Sequence, residues 1–283
     1  MRMKLRSTLT VVGVACAGAI GTTGTWHAGA AGPGGFTCGG SLASPEPIPG
    51  GTYSSLTMPA GSLCAVAGDV RVTSPVTVGT GAGLVVFGGS LRVDGAVAVG
   101  AQGVLASLSN DTPVTIAGAV GVGQNAAFIV GTETPGGPLV NSIGGPVTGA
   151  GASSVQIHNT AVGGPIRLTG GGGDNAIVDF FSGGFPGNFN DLEDDVIGGP
   201  VVVTGYQGVW MGIIRDVIHG PMTFTGNTES NIDEYDIGSD TIDGPATCSD
   251  NTPAPNIGES PGAPSTVSGP IRGNQAATCT SAA

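Results

Sequence analysis

A short phrase that recurs along the chain constrains the fold more strongly than any other feature of the sequence. Residues 197–205 and 218–226 both read Ile-x-Gly-Pro, then three residues that begin and end apolar, then Thr-Gly, and the copies lie 21 residues apart. Versions of this phrase continue over most of the chain, which indicates a fold built from repeated units. The first residue after each Gly-Pro, or its equivalent, marks one unit: Val76, Val97, Val120, Val147, Ile166, Val201, Met222, Ala246 and Ile271.

The units are rich in Val, Thr, Gly and Asn, which favour strands and turns over helices. An irregular coil of roughly 22 residues, made of short strands and Gly-rich corners, is typical of a parallel β-helix. The alternation of Val76 and Val78, then Leu84 and Val86, directs every second side chain inward. One coil cannot bury that row alone, so coils must stack about 4.8 Å apart. The sequence therefore predicts an all-β, right-handed parallel β-helix of about nine or ten coils.

The glycine and proline content raises disorder as the competing interpretation. The chain has 54 Gly and 20 Pro among 283 residues, about the level at which unfolded segments become common. Against disorder stand the 40% apolar content and the regular Val/Ile alternation. Gly-Pro pairs fit the corners of a coil, where the missing N–H of proline costs least.

The first 30 residues read as an export signal. Arg2, Lys4 and Arg6 precede an apolar run, and small residues at 28–30 form a cleavage site. The apolar run is too short and too Gly-rich for a membrane span. An alternative is lipid anchoring through Cys16, although Gly13 stands where such motifs usually carry Leu. We expect a loose segment at 31–49 and a single β-helix over 50–283.

The net charge of the exported chain narrows the set of possible partners. Removing the signal takes away three basic residues, so the net charge moves from −12 to about −15. Such a chain is disfavoured as a binder of nucleic acid or of anionic lipid. We expect a secreted protein that is extracellular or associated with the cell surface.

Four cysteines remain in the exported chain, and four allow three pairings. Contacts in a solenoid are local, so Cys38–Cys64 and Cys248–Cys279 are preferred as staples over the two ends. Each bridge would close a loop worth on the order of 3 to 4 kcal/mol.

Polar residues five positions before each corner proline predict a ladder along one edge of the rod. The sequence favours a structural ladder, in which each side chain accepts a hydrogen bond from a nearby backbone N–H. The alternative is calcium at Asp195, Asp216 and Asp240, because a hard cation would relieve repulsion between adjacent carboxylates. The rungs are Asn141, Thr160, Asp195, Asp216, Asp240 and Ser265.

The step of 35 residues from Ile166 to Val201 is the one large departure from the period. The excess is assigned to a protruding loop over 180–191, rich in Phe. Aromatic side chains there and in the next coil predict a surface that stacks on sugar rings or on another protein. The alternative is that Trp210 fills the coil interior. The candidate binding residues are Phe180, Phe181, Phe185, Phe189, Tyr206 and Trp210.

A polysaccharide hydrolase or lyase is the enzymatic alternative. Asp194 or Asp195 would act as acid or base with Asp216 as its partner, and His219 would lie on the next coil. Asp194-Asp195 and Ile218-His219-Gly220 partly resemble the Asp-Asp and Gly-His-Gly motifs of the polygalacturonase family. The Asn-Thr-Asp and Arg-x-Lys motifs of that family are absent from the sequence. His158 has no carboxylate or cysteine beside it in the sequence and is expected at the surface or at a corner.

Residues 244–279, with GPATCSDNTPAPNIGES, and residues 50–78, with GGTYSSLTMPAGSLC, resemble the terminal coils of secreted, largely uncharacterised actinobacterial repeat proteins. The resemblance implies an exported β-solenoid and brings no activity. We therefore expect a structural or adhesive protein without catalysis or cofactor, whose partner is cell-wall glycan or another surface protein. A glycan-binding or glycan-cleaving site around 180–219 is the alternative.

Overall fold

Runs of two to five residues with alternating apolar side chains form nearly all regular structure in this chain. The computed structural model describes residues 34–181, 188–230, 236–255 and 263–279. Within this part the strands stack into three parallel sheets that wind as a β-solenoid of about ten turns. The all-β fold predicted from the repeat is confirmed. Within the same residues no helix is long and apolar enough to cross a lipid bilayer.

The three sheets each take one strand from almost every turn. The first sheet contains β1 (Phe36–Thr37), β4 (Leu56–Met58), β7 (Val76–Val78), β10 (Val97–Val99), β13 (Val120–Val122), β16 (Val147–Ala150), β19 (Ile166–Thr169), β22 (Val201–Thr204), β25 (Met222–Thr225), β28 (Ala246–Ser249) and β30 (Ile271–Arg272). The second sheet contains β2 (Glu46–Ile48), β5 (Leu63–Val66), β8 (Gly83–Val86), β11 (Val104–Ser107), β14 (Ala127–Val130), β17 (Ser154–His158), β20 (Phe189–Glu193), β23 (Trp210–Ile214) and β26 (Asp236–Gly238). The third sheet contains β3 (Gly51–Tyr53), β6 (Val70–Val72), β9 (Leu91–Val93), β12 (Val114–Ile116), β15 (Asn141–Ile143), β18 (Thr160–Val162), β21 (Val196–Ile197), β24 (Val217–Ile218), β27 (Thr241–Ile242) and β29 (Thr266–Val267).

The nine repeat markers stack directly on one another in the first sheet. Val76 pairs with Val97, Val97 with Val120, and the register continues marker to marker as far as Ile271. Even the 35-residue step keeps the register, since Ile166 pairs with Val201. The sequence repeat therefore corresponds to the physical turn of the solenoid.

The corner prolines accept hydrogen bonds from the turn before them. The N–H of Val201 donates to the carbonyl of Pro221 at 3.1 Å, and the N–H of Met222 donates to the carbonyl of Pro245 at 3.0 Å. The preceding glycine is required by close approach, because a Cβ on Gly220 would lie 2.9 Å from the nitrogen of Pro200. Stacking at the corners thus depends on the Gly-Pro pair itself.

The inward side chains form one continuous apolar core. Val76, Val78, Leu84 and Val86 are all buried in it, as the alternation predicted. The largest fully buried side chains include Phe128, Phe224 and Tyr206.

Both ends of the described solenoid are stapled by the predicted disulfides, Cys38–Cys64 and Cys248–Cys279. The loose segment expected at 31–49 is corrected from residue 34 onward. Phe36–Thr37 pairs with Leu56–Met58, and Glu46–Ile48 pairs with Leu63–Val66, so this segment already forms the first turn. The disulfide and the edge-to-face contact of Phe36 with Tyr53 attach it to the next turn.

The extra residues of the long step do not simply protrude as expected. They include helix α1 (Ala176–Phe181), whose first turn is capped by Asn175: Oδ1 accepts from the N–H groups of Ile177 and Val178. Ile177 and Val178 pack on a small cluster on the outer face of the second sheet, formed by Val104, Ala106, Ala127 and Ile129. The helix folds back because this outer face would otherwise expose an apolar patch.

Candidate functional site

A buried group of ionisable side chains lies on the outer face of the second sheet. Parallel pairing sets His158 opposite Glu193 and Gln156 opposite Asp191. His158 Nε2 lies 3.7 Å from Asp191 Oδ2, and His158 Nδ1 lies 3.6 Å from Glu193 Oε2. We call His158, Asp191 and Glu193 the His158 triad.

The triad is enclosed although it projects away from the apolar core. His158, Asp191 and Glu193 are 6%, 7% and 3% exposed. Neither His158 Nδ1 nor Asp191 Oδ1 has a hydrogen-bond partner among the described residues. His158 ends β17 next to a corner, but it is buried, so the surface alternative for this residue is wrong. Strand stacking brings two carboxylates to it from the next turn.

Arg215 holds the neighbouring carboxylates. Its Nε and a terminal nitrogen contact the two oxygens of Asp194 at 3.0 and 2.9 Å, and the same terminal nitrogen contacts Glu193 Oε1. Glu133 Oε1 lies 3.4 Å from that nitrogen. Burial lowers the pKa of Arg215, but the hydrogen bond and charges of Asp194 and Glu193 outweigh burial and raise it above its usual value.

The backbone of Arg215 is unusual as well. It has φ 59°, in the left-handed region that is costly for a long side chain. Asn159, Asp194 and Ser239 adopt positive φ at the corresponding corner of other turns, so the turn geometry imposes this conformation. In this conformation the Arg215 side chain forms its ion pairs with Asp194 and Glu193.

Negative charge exceeds positive charge around the triad. Burial and, next, the charge of Glu193 raise the pKa of Asp191 well above its ordinary value, and Glu133 and Asp236 add to the effect. Gly212 separates Asp191 from Asp236 in the register of the sheet. A Cβ on Gly212 would lie 2.8 Å from Asp191 Oδ1, so a larger residue would crowd this carboxylate.

The predicted corner ladder is present, and its residues lie at or directly before the first residue of the third-sheet strands. Thr160 N–H donates to Asp195 Oδ1, Asp195 N–H to Asp216 Oδ1, and Asp216 N–H to Asp240 Oδ1, at 2.8 to 2.9 Å. Asn141 and Ser265 accept equivalent hydrogen bonds at the two ends. These contacts match the backbone-satisfying ladder that the sequence favoured; calcium at its three aspartates stays a prediction.

The three ladder aspartates are fully enclosed. Burial and then the charge of the next rung raise the pKa values of Asp195 and Asp216 well above the ordinary value. Burial also raises the pKa of Asp240, to about 8, against the opposing effect of its hydrogen bonds with the Asp216 N–H and Ser265. The ladder therefore retains protons at pH values where an exposed aspartate would be ionised.

The residues of the glycan-cleaving hypothesis do not converge in one site. Asp195 and Asp216 are turned into the ladder, while Asp194 is bound by Arg215. His219 is half exposed and its Nδ1 lies 2.8 Å from Asp243 Oδ2. This specific acid–base arrangement is wrong, because the ladder carboxylates face inward and His219 faces solvent.

The candidate aromatic residues divide between core and surface. Tyr206 is fully buried and its hydroxyl donates to the carbonyl of Asn188, so its assignment to a binding surface is wrong. Trp210 is half-buried on the outer face, with its ring centroid 6.4 Å from that of Phe189, and does not fill the coil interior. Phe180 and Phe181 fall in helix α1, and Phe185 lies outside the described residues.

A second ladder of amides was not anticipated from the sequence. Asn227 and Asn251 are buried between the C-terminal turns, where Asn227 Nδ2 donates to Asn251 Oδ1 at 2.9 Å and Asn251 Nδ2 donates to Gln275 Oε1 at 2.9 Å. The signal was the 24-residue spacing of the three amides, which equals the marker step from Met222 to Ala246 and is one residue shorter than the step from Ala246 to Ile271.

No protein-family model, curated protein or solved structure matches this chain significantly. The resemblance of its terminal coils to secreted actinobacterial repeat proteins therefore stays a prediction from sequence.

The sequence did contain one signal for the His158 triad. The marker step of 35 residues between Ile166 and Val201 places His158 on Glu193 in the next turn. Applying that step to every polar residue of β17 would have brought the three side chains together.

Proposed function

We propose that this chain is an exported structural or adhesive β-solenoid, and that the outer face of the first sheet is its adhesive surface. Disulfides at both ends support an extracellular location, since such bonds persist in oxidising compartments. The signal-like residues 1–30 support the same location. The partner proposed is an extended glycan of the cell wall.

Rows of hydroxyl-bearing side chains on this face carry the proposal. The central outward column is in register from turn to turn, and six of its eleven positions are threonine. In the C-terminal half a second column runs beside it through Thr169, Thr204, Thr225 and Ser249. The threonines of the central column are Thr37, Thr57, Thr77, Thr148, Thr223 and Thr247.

These rows suit a flat, repeating partner. Stacked strands repeat about every 4.8 Å, so hydroxyl and methyl groups recur at that spacing on a rigid backbone. A glycan chain presents its own repeating hydroxyls and apolar ring faces. Many weak contacts along such a face add up without requiring any one deep pocket.

Co-sedimentation with insoluble chitin, cellulose and peptidoglycan tests the proposal. We expect the purified protein to bind at least one of them, and Thr148→Glu with Thr223→Glu to weaken that binding on the order of tenfold, equivalent to about 1.4 kcal/mol. Thr115→Glu, on the outer face of the third sheet, is the matched control and should bind like the wild type. Absence of binding to all three solids, or equal binding by all variants, would overturn the adhesive assignment.

A glycan-binding site beside residues 180–219 is the second candidate, favoured by the Phe189–Trp210 pair on the second sheet. Once residues 1–30 are removed, Trp210 is the single tryptophan of the chain, so its fluorescence reports directly on this place. Soluble oligosaccharides should shift that fluorescence and lose affinity in Phe189→Ala. Phe87→Ala, which truncates an exposed phenylalanine elsewhere, should leave affinity unchanged; no fluorescence response to any oligosaccharide would reject this candidate.

A further inference from the structure

The His158 triad has the donor types and spacing of a metal site. One oxygen or nitrogen from each of His158, Asp191 and Glu193 can be chosen so that all three lie within 4.8 Å of one another. Among the described residues one other group meets this criterion, Cys38, Glu46 and Cys64, and its sulfurs are joined in a disulfide. The triad is thus the one group there with all its ligand atoms available.

The spacing within the triad is too long for hydrogen bonds and suits ligands that share an ion. The two shortest imidazole-to-carboxylate distances run to different ring nitrogens, 3.7 Å from Nε2 to Asp191 and 3.6 Å from Nδ1 to Glu193, and both exceed the 2.7 to 3.2 Å or so of N–H···O bonds. Ligands about 2.1 Å from a common ion lie roughly 3 to 3.5 Å apart in tetrahedral or octahedral geometry. Because one ion takes only one ring nitrogen, the His158 ring must turn that nitrogen towards both carboxylates, and the three chosen ligand atoms already lie within 4.8 Å of one another.

Arg215 does not neutralise all of the negative charge of the His158 triad. It contacts Oε1 of Glu193 and both oxygens of Asp194, which leaves Glu193 Oε2 directed towards His158. Asp191 receives no contact from Arg215, and its Oδ1 has no hydrogen-bond partner. A carboxylate that is buried in this way is costly unless a cation compensates it.

Two unpartnered atoms point to what is missing. His158 Nδ1 and Asp191 Oδ1 both belong to residues that are more than nine-tenths buried, and neither makes a hydrogen bond. Buried polar atoms are nearly always satisfied by protein, water or an ion. An imidazole nitrogen with two carboxylates is a donor set for a divalent transition metal rather than for calcium, which prefers oxygen ligands alone.

We propose that His158, Asp191 and Glu193 bind one divalent transition-metal ion of the zinc class. Arg215 is a positioning residue in this site, because it fixes Glu193 through the oxygen that does not face His158. The ion links neighbouring strands β17 and β20 and compensates the excess negative charge. This site is separate from the adhesive face of the first sheet.

Titration of the chelator-treated protein with Zn²⁺, followed by calorimetry and thermal melting, tests the assignment. We expect one Zn²⁺ per chain and a rise in melting temperature on binding. His158→Gln should weaken binding on the order of 100-fold, whereas His219→Gln, which alters the exposed His219–Asp243 pair, should bind like the wild type. Unchanged Zn²⁺ affinity in His158→Gln, or no binding by the wild type, would overturn the assignment.

A second measurement keeps the test decisive if His158→Gln does not fold. Co²⁺ bound to nitrogen and oxygen ligands gives visible absorption that depends on its coordination, and this can be read on the wild type alone. Nitrogen NMR of the His158 ring in the same sample distinguishes a metal-bound imidazole from a doubly protonated one. A doubly protonated ring that is insensitive to added Zn²⁺ or Co²⁺ would show that a proton, and no metal, compensates Asp191 and Glu193.

Discussion

Asp240→Asn should remove part of the pH dependence of folding. Asp240 is buried in the corner ladder, where its Oδ1 accepts from the Asp216 N–H at 2.9 Å and its Oδ2 accepts from Ser265 Oγ at 2.9 Å. Asparagine keeps the accepting oxygen and can donate to Ser265 in place of the second oxygen. Asn141 already fills one rung in this way, accepting from Val114 N–H and donating to the carbonyl of His158.

The size of the effect follows from proton binding. The pKa of Asp240 is about 8 in the folded chain and about 3.9 for an unfolded aspartate, so the native state holds the extra proton between these values. Protonated Asp240 therefore stabilises the folded state fully below about pH 4, and this stabilisation is lost as the pH rises through 8. The loss is about 1.4 kcal/mol per pH unit, or about 5 to 6 kcal/mol over the window.

Asparagine carries no ionisable proton, so the variant should escape this loss. We expect wild type and Asp240→Asn to agree within about 1 kcal/mol near pH 4. The variant should then gain about 1.4 kcal/mol relative to the wild type for each pH unit, reaching about 4 kcal/mol at pH 7.

Urea unfolding at pH 4, 5, 6 and 7, followed by Trp210 fluorescence and circular dichroism, measures this difference. Asp111→Asn removes an exposed carboxylate from a turn and serves as the matched control with a wild-type slope. A parallel pH profile for wild type and Asp240→Asn would refute the reasoning, as would an equal change in slope in the control.

Three further outcomes can be checked. Gly220→Ala places a Cβ 2.9 Å from the nitrogen of Pro200 and should lower the free energy of unfolding by about 1 to 3 kcal/mol. The control Gly121→Ala has room on the outer face and should melt like the wild type. Equal melting of the two variants would contradict the close-packed corner. Arg215→Ala leaves its carboxylate partners without a counter-charge and should lower the free energy of unfolding in urea by about 3 kcal/mol or more. A decrease below about 0.5 kcal/mol would show that these ion pairs do not stabilise the fold. N-terminal sequencing of protein collected from the medium of the expressing cells should begin near Ala31, and an intact Met1 would rule out cleavage.

Stacking of the turns was accessible from sequence because it depends on a local, periodic pattern. The markers from Val76 to Ile271 align in one sheet, and the two disulfides join the cysteines nearest each end. The ladder through Asp195, Asp216 and Asp240 follows from the same register. Each of these features requires only that equivalent positions of consecutive turns lie side by side.

Tertiary structure decided which parts of the outer faces are buried, because segments outside the repeat cover them. Helix α1 lies over part of the second sheet, and Gly136 N–H from another inserted segment donates to Asp194. His158 is buried beside two carboxylates of the next turn rather than exposed. Trp210 likewise lies outside against Phe189, and Tyr206 lies inside with its hydroxyl donating to the carbonyl of Asn188, because both partners come from the 35-residue step, which the repeat does not encode.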